Sequence, residues 1–234
     1  MKPFRFQQFE VQQSSEVFRV GTDAVLIGAL SNVVNAKQIL EVGTGTGIIS
    51  LMLAQRNANA NILALDINAE AVKISQNNFS NSPFSDKIKS QLQDFKNFET
   101  DEKFDLIISN PPYFETNSSE KDILARQRLE LDFSDLIQNA SQLLSDEGLF
   151  SVIIPIDSEK QFTKICSDNL LCLRRKVIIK GINTAKPKRV VLEYSFQKSE
   201  VTEENFVIEK SPRVYSDEYL ELTKDFHLFN KKTL

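Results

Sequence analysis

Histidine is nearly missing from this 234-residue chain: His227 is the only one. A metal site built on several histidines and a histidine-driven nucleophilic triad are thereby excluded. Cysteine is almost as scarce. Cys166 and Cys172 stand in an apolar stretch, where buried reduced thiols are expected rather than a disulfide framework. No apolar run approaches the ~18 residues of a membrane span. Residues Met1-Lys2-Pro3-Phe4-Arg5-Phe6 lack the apolar core and small-residue cleavage site of a signal peptide, so a cytoplasmic protein is expected. Glycine is rare too, seven in all, yet three fall at positions 43, 45 and 47.

What is present is ordinary in bulk and uneven in detail. A hydrophobic content of 41% with 26% charged residues suits a soluble globular chain, and the length suffices for a buried core. The net charge of −4 taken alone argues against a nucleic-acid partner. Between Lys160 and Arg189, however, nine basic residues face a single acid, Asp168, which gives that segment +8. Such a stretch is either a phosphate-contact face or a set of solvated strand and turn residues.

From residue 38 onward strand and helix patterns alternate, the signature of a mostly parallel sheet with helices on both faces. Strands are predicted at Gln38–Val42, Ile62–Asp66, Ile88–Leu92, Phe104–Ser109 and Leu149–Ile154. Helices are predicted near Ile48–Arg56, at Asn68–Ser80 with Asn68 as N-cap, at Phe133–Leu144 closed by Gly148, and at Ser158–Asn169. Leu173–Ile179 and Val190–Phe196 are joined by a linker too short for a helix, which implies an antiparallel pair at the sheet edge. Upstream, Phe4–Val11 alternates like a strand and Asp23–Val34 reads as an apolar helix; Val201–Leu234 shows no long regular pattern. The organisation expected is one domain over 1–234: an extension over 1–36, a seven-stranded core over 37–198 and a second extension over 199–234.

Two motifs carry chemistry. Glu41-Val42-Gly43-Thr44-Gly45-Thr46-Gly47 occupies the first strand-to-helix turn, where glycines permit a tight turn and close approach of a ligand to the backbone. Asp66 ends the second strand 19 residues beyond Gly47, where a carboxylate meets ribose hydroxyls. A dinucleotide fingerprint would need glycine at position 48; here that residue is Ile48 and the third glycine comes one place early. Asn110-Pro111-Pro112-Tyr113 follows the fourth strand. A double proline fixes the backbone at the end of the sheet that binds ligands, between an amide that accepts hydrogen bonds and a ring that stacks. Together these hold a flat, amine-bearing group still.

The acid followed by G-x-G-x-G resembles motif I of class I S-adenosylmethionine (SAM)-dependent methyltransferases, whose fold is a Rossmann-like α/β sheet. The resemblance implies SAM as cofactor, with Glu41 facing the methionine moiety, the loop Gly43, Thr44, Gly45 and Gly47 beneath it, Asp66 at the ribose, Asp94 and Phe95 at the adenine amine, and Ile67 among the cofactor-binding residues. Asp94 also reads as a simple turn cap. In that family N-P-P-Y marks methylation of an amino nitrogen conjugated to a π system, which assigns catalysis to Asn110, Pro111, Pro112 and Tyr113 and counts Asn110 among the cofactor-binding residues as well. Thr22 and Asp23 stand where the amino-methyltransferases have a further SAM-contacting motif; Thr22 is equally a candidate N-cap.

Phe18–Leu26, Ala125-Arg126, Lys186–Tyr194 and Tyr219–Phe226 together are similar to the bacterial tRNA(Val) adenine-N6-methyltransferases, which act at position 37 beside the anticodon. That likeness implies a tRNA partner, no metal, no membrane and a monomer. Arg126, Arg128, Lys186, Lys188 and Arg189 become candidate RNA contacts, with salt bridges or plain solvation as the alternative for the two loop arginines. Guanine in rRNA and glutamine in proteins present the same kind of nitrogen. Only 40 residues precede Glu41, too few for the helical substrate domain of the glutamine enzymes.

Overall fold

Gln38–Val42 (β3) lies in a nine-stranded sheet in the computed structural model, which describes residues 1–111 and 132–228. It runs parallel to Asn61–Asp66 (β4) on one side and to Phe104–Ser109 (β6) on the other. Ile88–Leu92 (β5) closes the edge beyond β4. Leu144–Pro155 (β7) follows β6 in parallel, and Arg189–Ser195 (β9) then runs antiparallel to both β7 and Cys172–Ile182 (β8). The resulting mixed, mostly parallel sheet is the expected architecture.

Its extent differs from the expectation. The C-terminal segment adds Thr202–Ser211 (β10), parallel to β8, and Val214–Tyr215 (β11), antiparallel to β10. The sheet therefore has nine strands rather than seven, and the antiparallel β8–β9 pair is interior rather than at the edge. In β10 only Phe206 is buried, so no apolar alternation announces the strand; pairing with β8 supplies its order. Phe4–Val11 is likewise not one strand but a small hairpin of Phe4–Arg5 (β1) and Glu10–Val11 (β2).

Alternate residues of each central strand feed two cores. Ile39, Leu106 and Ile108 face a cluster built with Thr22–Leu30 (α1), Ile48–Arg56 (α2) and Phe79 of Ala69–Ser80 (α3). Leu40, Val42 and Ile107 face Phe133–Leu143 (α4) and Glu159–Asp168 (α5) on the other side. Helices thus cover both faces, which is what near-continuous apolar strands require. Helix α1 is buried over Ala24–Ala29 without a break and ends earlier than predicted. Arg56 donates to the carbonyls of Gly28 and Ser31, and Arg175 to that of Leu30. These guanidinium groups satisfy the carbonyls that the helix end leaves open. At its start the N-cap is Gly21, without a side-chain bond, so Thr22 is the first helical residue and not the cap.

Candidate functional site

The glycine loop takes its shape from left-handed backbone at three places: Gly43 (φ 79°), Gly45 (φ 54°) and Gly47 (φ 82°). The Gly43 and Thr44 amides both donate to the Leu65 carbonyl at 2.9 Å, folding the turn against β4. At Gly47 a Cβ would run into the Phe79 ring, meeting Cζ at 2.7 Å, whereas a Cβ on Gly43 would meet nothing within 4 Å. One glycine is therefore needed for packing inside the protein. The other keeps open the ground above the loop.

Glu41, fully buried within β3, is the anchor beneath that ground. One carboxylate oxygen, Oε2, accepts from Thr44 Oγ1 at 2.9 Å, from the Ser50 amide at 3.1 Å and from the Ser50 hydroxyl. Its other oxygen, Oε1, has no hydrogen-bond partner among the described residues. Burial raises its pKa to about 7, against the lowering influence of the Ser50 and Thr44 bonds. Asp66, at the end of β4, accepts the Gly45 amide at 2.8 Å and the Asn68 amide at 2.9 Å. Burial moves its pKa upward too, with those amide bonds opposing. Asp66 therefore ties the turn to the second strand and, with two oxygens able to accept further bonds, still has capacity for hydroxyl donors.

The third acidic position is reached through the backbone. The Gln93 amide donates to the Asp66 carbonyl at 2.9 Å, which sets the end of β5 beside that of β4. Asp94 then caps a short 3₁₀ turn, Phe95–Asn97, by accepting the Lys96 amide at 3.0 Å. The turn-cap role is present. It leaves the outward oxygen lone pairs available. Phe95 is buried in the second core, while Ile67 is 55% exposed at the end of β4. An apolar side chain held open at a strand end can carry the face of a flat ring.

Asn110 follows β6, which is paired with β3 through Val42 and Ser109. Its side-chain oxygen, Oδ1, is buried and has no hydrogen-bond partner among the described residues. Pro111 is buried as well. Pro112, Tyr113, Arg126 and Arg128 lie outside the described residues. Buried acceptors without donors are rare in folded proteins, and each calls for an explanation. Of the three among the described residues, Gln55 Oε1 lies in α2, while Glu41 Oε1 and Asn110 Oδ1 sit toward the carboxyl ends of adjacent parallel strands. These two suit a cofactor with a positively charged methionine part and a substrate with an N–H to give.

Other expected site residues engage each other. Arg189 Nε donates to Asp23 Oδ2 at 2.9 Å, and both side chains are three-quarters or more buried. Lys186 and Lys188 are exposed in the turn between β8 and β9, at the same end of the sheet as Asn110. The +8 segment divides accordingly. Arg175, toward the opposite end of β8, and Lys176 beside it pair with Glu193, Glu204, Glu159 and Glu203. A concavity of about 500 Å³ lined by Asp105, Arg175 and Glu193 belongs to that opposite end and shares no residue with the glycine loop.

One residue of the site had no sequence signal. Asn78, in α3, is buried; its Nδ2 donates to the Thr46 carbonyl at 2.9 Å and the Gln12 carbonyl at 3.1 Å. It thereby pins both the glycine loop and the N-terminal arm. An isolated asparagine in a polar helix face gives no hint of that.

Known proteins resemble the chain at two levels. Residues 12–166 match the family model described as methyltransferase small domain. A Flavobacteriaceae bacterium (strain 3519-10) protein named tRNA1(Val) (adenine(37)-N6)-methyltransferase is 54% identical over 98% of this chain and 100% of its own length. A protein of the same name from Phocaeicola vulgatus is 44% identical over 96% of the chain and 97% of its own length. Among solved structures, a predicted O-methyltransferase from Agrobacterium tumefaciens superposes with a TM-score of 0.67 at 18% identity, covering 87% of this chain and 96% of that one. A ribosomal protein L11 methylase from Lactobacillus delbrueckii superposes with a TM-score of 0.55 at 20% identity, covering 76% and 80%. Both structural likenesses speak to the fold.

Proposed function

The chain belongs to the methyltransferase small-domain family and, within it, to the tRNA1(Val) (adenine(37)-N6)-methyltransferases, and from that premise we propose that it methylates N6 of an adenine in the anticodon loop of a tRNA. The observation that carries the reading is the unpartnered, buried Oδ1 of Asn110 at the end of β6. The cofactor is SAM, which when bound supplies a methyl group on a sulfonium, an electrophile strong enough to need no activation.

The work of the protein is then positional. Glu41, the glycine loop and Asp66 hold the methionine and ribose parts, and Ile67 and Asp94 take the adenine. The exocyclic amine of the target base has its lone pair delocalised into the ring and is a poor nucleophile. Asn110 Oδ1 and the Pro111 carbonyl accept its two N–H bonds, favouring a pyramidal nitrogen with its lone pair aimed at the methyl group. Alignment of this kind supplies most of the acceleration of a bimolecular transfer. Acceptors already in place also stabilise the positive charge that develops on nitrogen, the counterpart of an oxyanion hole. Tyr113 stacks on the turned-out base, a contact worth about 1–3 kcal/mol.

An unpaired loop base turns outward at lower cost than one in a duplex, which suits an anticodon-loop substrate. Lys186, Lys188, Arg126 and Arg128 are the proposed phosphate contacts, and with an acidic body around them binding is weak and salt-sensitive. The chain acts as a single domain and a monomer, in the cytoplasm. Mass mapping of nucleosides in tRNA after incubation with protein and SAM tests the reading: N6-methyladenosine beside the anticodon is expected, and methylguanosine or no change contradicts it.

A further inference from the structure

The segment before α1 runs from the glycine loop to the start of β9, held at both ends. Gln12 exchanges hydrogen bonds with Asn78, Asn68 Nδ2 donates to the Glu16 carbonyl at 3.3 Å, and Val17 is buried 3.9 Å from where a Cβ on Gly45 would stand. At the far end Asp23 is bound to Arg189, whose partner in β7 is Pro155. The strand order in this region is β9, β7, β6, β3, β4. The segment thus joins the ends of β4 and β3 to those of β7 and β9, and β6, with Asn110 at its end, lies between them in the sheet. The two residues that follow Val17 in this segment are Phe18 and Arg19.

Phe18 is 82% exposed, the most exposed of the large apolar side chains described and the one aromatic among them. It is not on a loose loop: Val17 is buried before it, and the Val20 amide donates to Gln13 Oε1 at 3.1 Å after it. Arg19 is exposed and forms no ion pair among the described residues. The exposed Ile67 and Leu92 end β4 and β5 at the same rim. A phenyl ring fixed in water and beside a cation, on the segment that joins the glycine loop to the start of β9, is arranged for a partner that is both flat and anionic.

We propose that Phe18 stacks on a nucleobase neighbouring the target adenine and that Arg19 contacts an adjoining phosphate, so that the pair positions the single-stranded loop of the RNA over Asn110. The inference rests on the activity proposed above. It follows from the chemistry of single-stranded recognition, in which aromatic faces take bases and cations follow the backbone.

The chain contains no tryptophan, so Phe18→Trp places a single fluorophore at the contact. Adding tRNA is expected to quench it, and adding SAM alone is not. Phe18→Ala should raise the KM for tRNA about tenfold or more, with a smaller effect on kcat and an unchanged Kd for SAM. Arg19→Ala should lower the salt slope of tRNA binding by about one. If the wild-type protein methylates tRNA while the KM of Phe18→Ala and the emission of Phe18→Trp are unmoved, the contact is overturned and the activity stands. A loss that appears in SAM affinity instead also overturns it, making Phe18 a cofactor cover. A wild-type protein that transfers no methyl group to tRNA removes the activity and the contact together.

Discussion

Arg189 and Asp23, 166 positions apart in sequence, meet through a 2.9 Å bond from Nε to Oδ2 that fastens the first turn of α1 to the start of β9. One was expected at the cofactor and the other at RNA. Their pairing makes a single latch beside both. Arg189→Ala should destabilise the protein by about 1–3 kcal/mol, since it removes a mostly buried guanidinium bonded to a mostly buried carboxylate. That corresponds to a fall in Tm on the order of 5 °C for a chain of this size. A purely RNA-facing arginine would leave thermal unfolding untouched and alter only tRNA binding.

Glu41 makes the site sensitive to pH. Its folded pKa, about 7, lies above the ordinary 4.5 because burial opposes the charge. The folded state therefore holds a proton more tightly than the unfolded chain, and stability from this group falls as pH rises from about 4.5 to 7, then levels off. Binding of the cationic methionine part favours the ionised form, so SAM affinity should increase as pH rises through that range. Glu41→Gln should bind SAM more weakly at pH 8 and lose this component of the pH dependence. Calorimetric titration at several pH values reads both effects.

Two glycines of one loop should fail in different ways. Gly47→Ala forces a Cβ into Phe79 at a left-handed position and should cost about 2–5 kcal/mol of stability, combining backbone strain with overpacking. Gly43→Ala meets open space, so it should cost only about 1–2 kcal/mol and leave a folded protein. That protein should nonetheless bind SAM poorly, because the methyl group stands where the cofactor must approach. Circular dichroism and SAM binding on the two variants separate these outcomes.

The basic segment should likewise divide by position. Lys186→Ala and Lys188→Ala, at the Asn110 end of the sheet, should each reduce the salt slope of tRNA binding by about one. Arg174→Ala, at the opposite end of β8, should leave the slope unchanged.

Where a segment's local pattern and its packing agree, its sequence was sufficient. Gln38–Val42, Ile88–Leu92 and Phe104–Ser109 form as predicted, and Asn68 caps α3 by accepting the Glu70 amide. The glycine loop and its acids were legible for the same reason, since backbone geometry and spacing dictate them. Tertiary decisions were not legible. Helix α1 stops at Leu30 because Arg56 and Arg175 satisfy its last carbonyls, and no local residue announces that. Strand β10 begins with two adjacent acids, Glu203 and Glu204, buries only Phe206, and borrows its order from β8. The neutralisation of Arg175 and Lys176 by Glu193, Glu204, Glu159 and Glu203 is a product of the folded arrangement alone.

Asn110 bears the central claim, and one measurement addresses it most directly. Tritium transfer from labelled SAM to tRNA is followed for wild type and Asn110→Ala, with SAM affinity measured alongside. Loss of transfer with SAM binding largely retained is the expected result, because the role proposed for the buried Oδ1 is to accept from the target amine. An Asn110→Ala protein that transfers methyl groups at the wild-type rate contradicts the assignment.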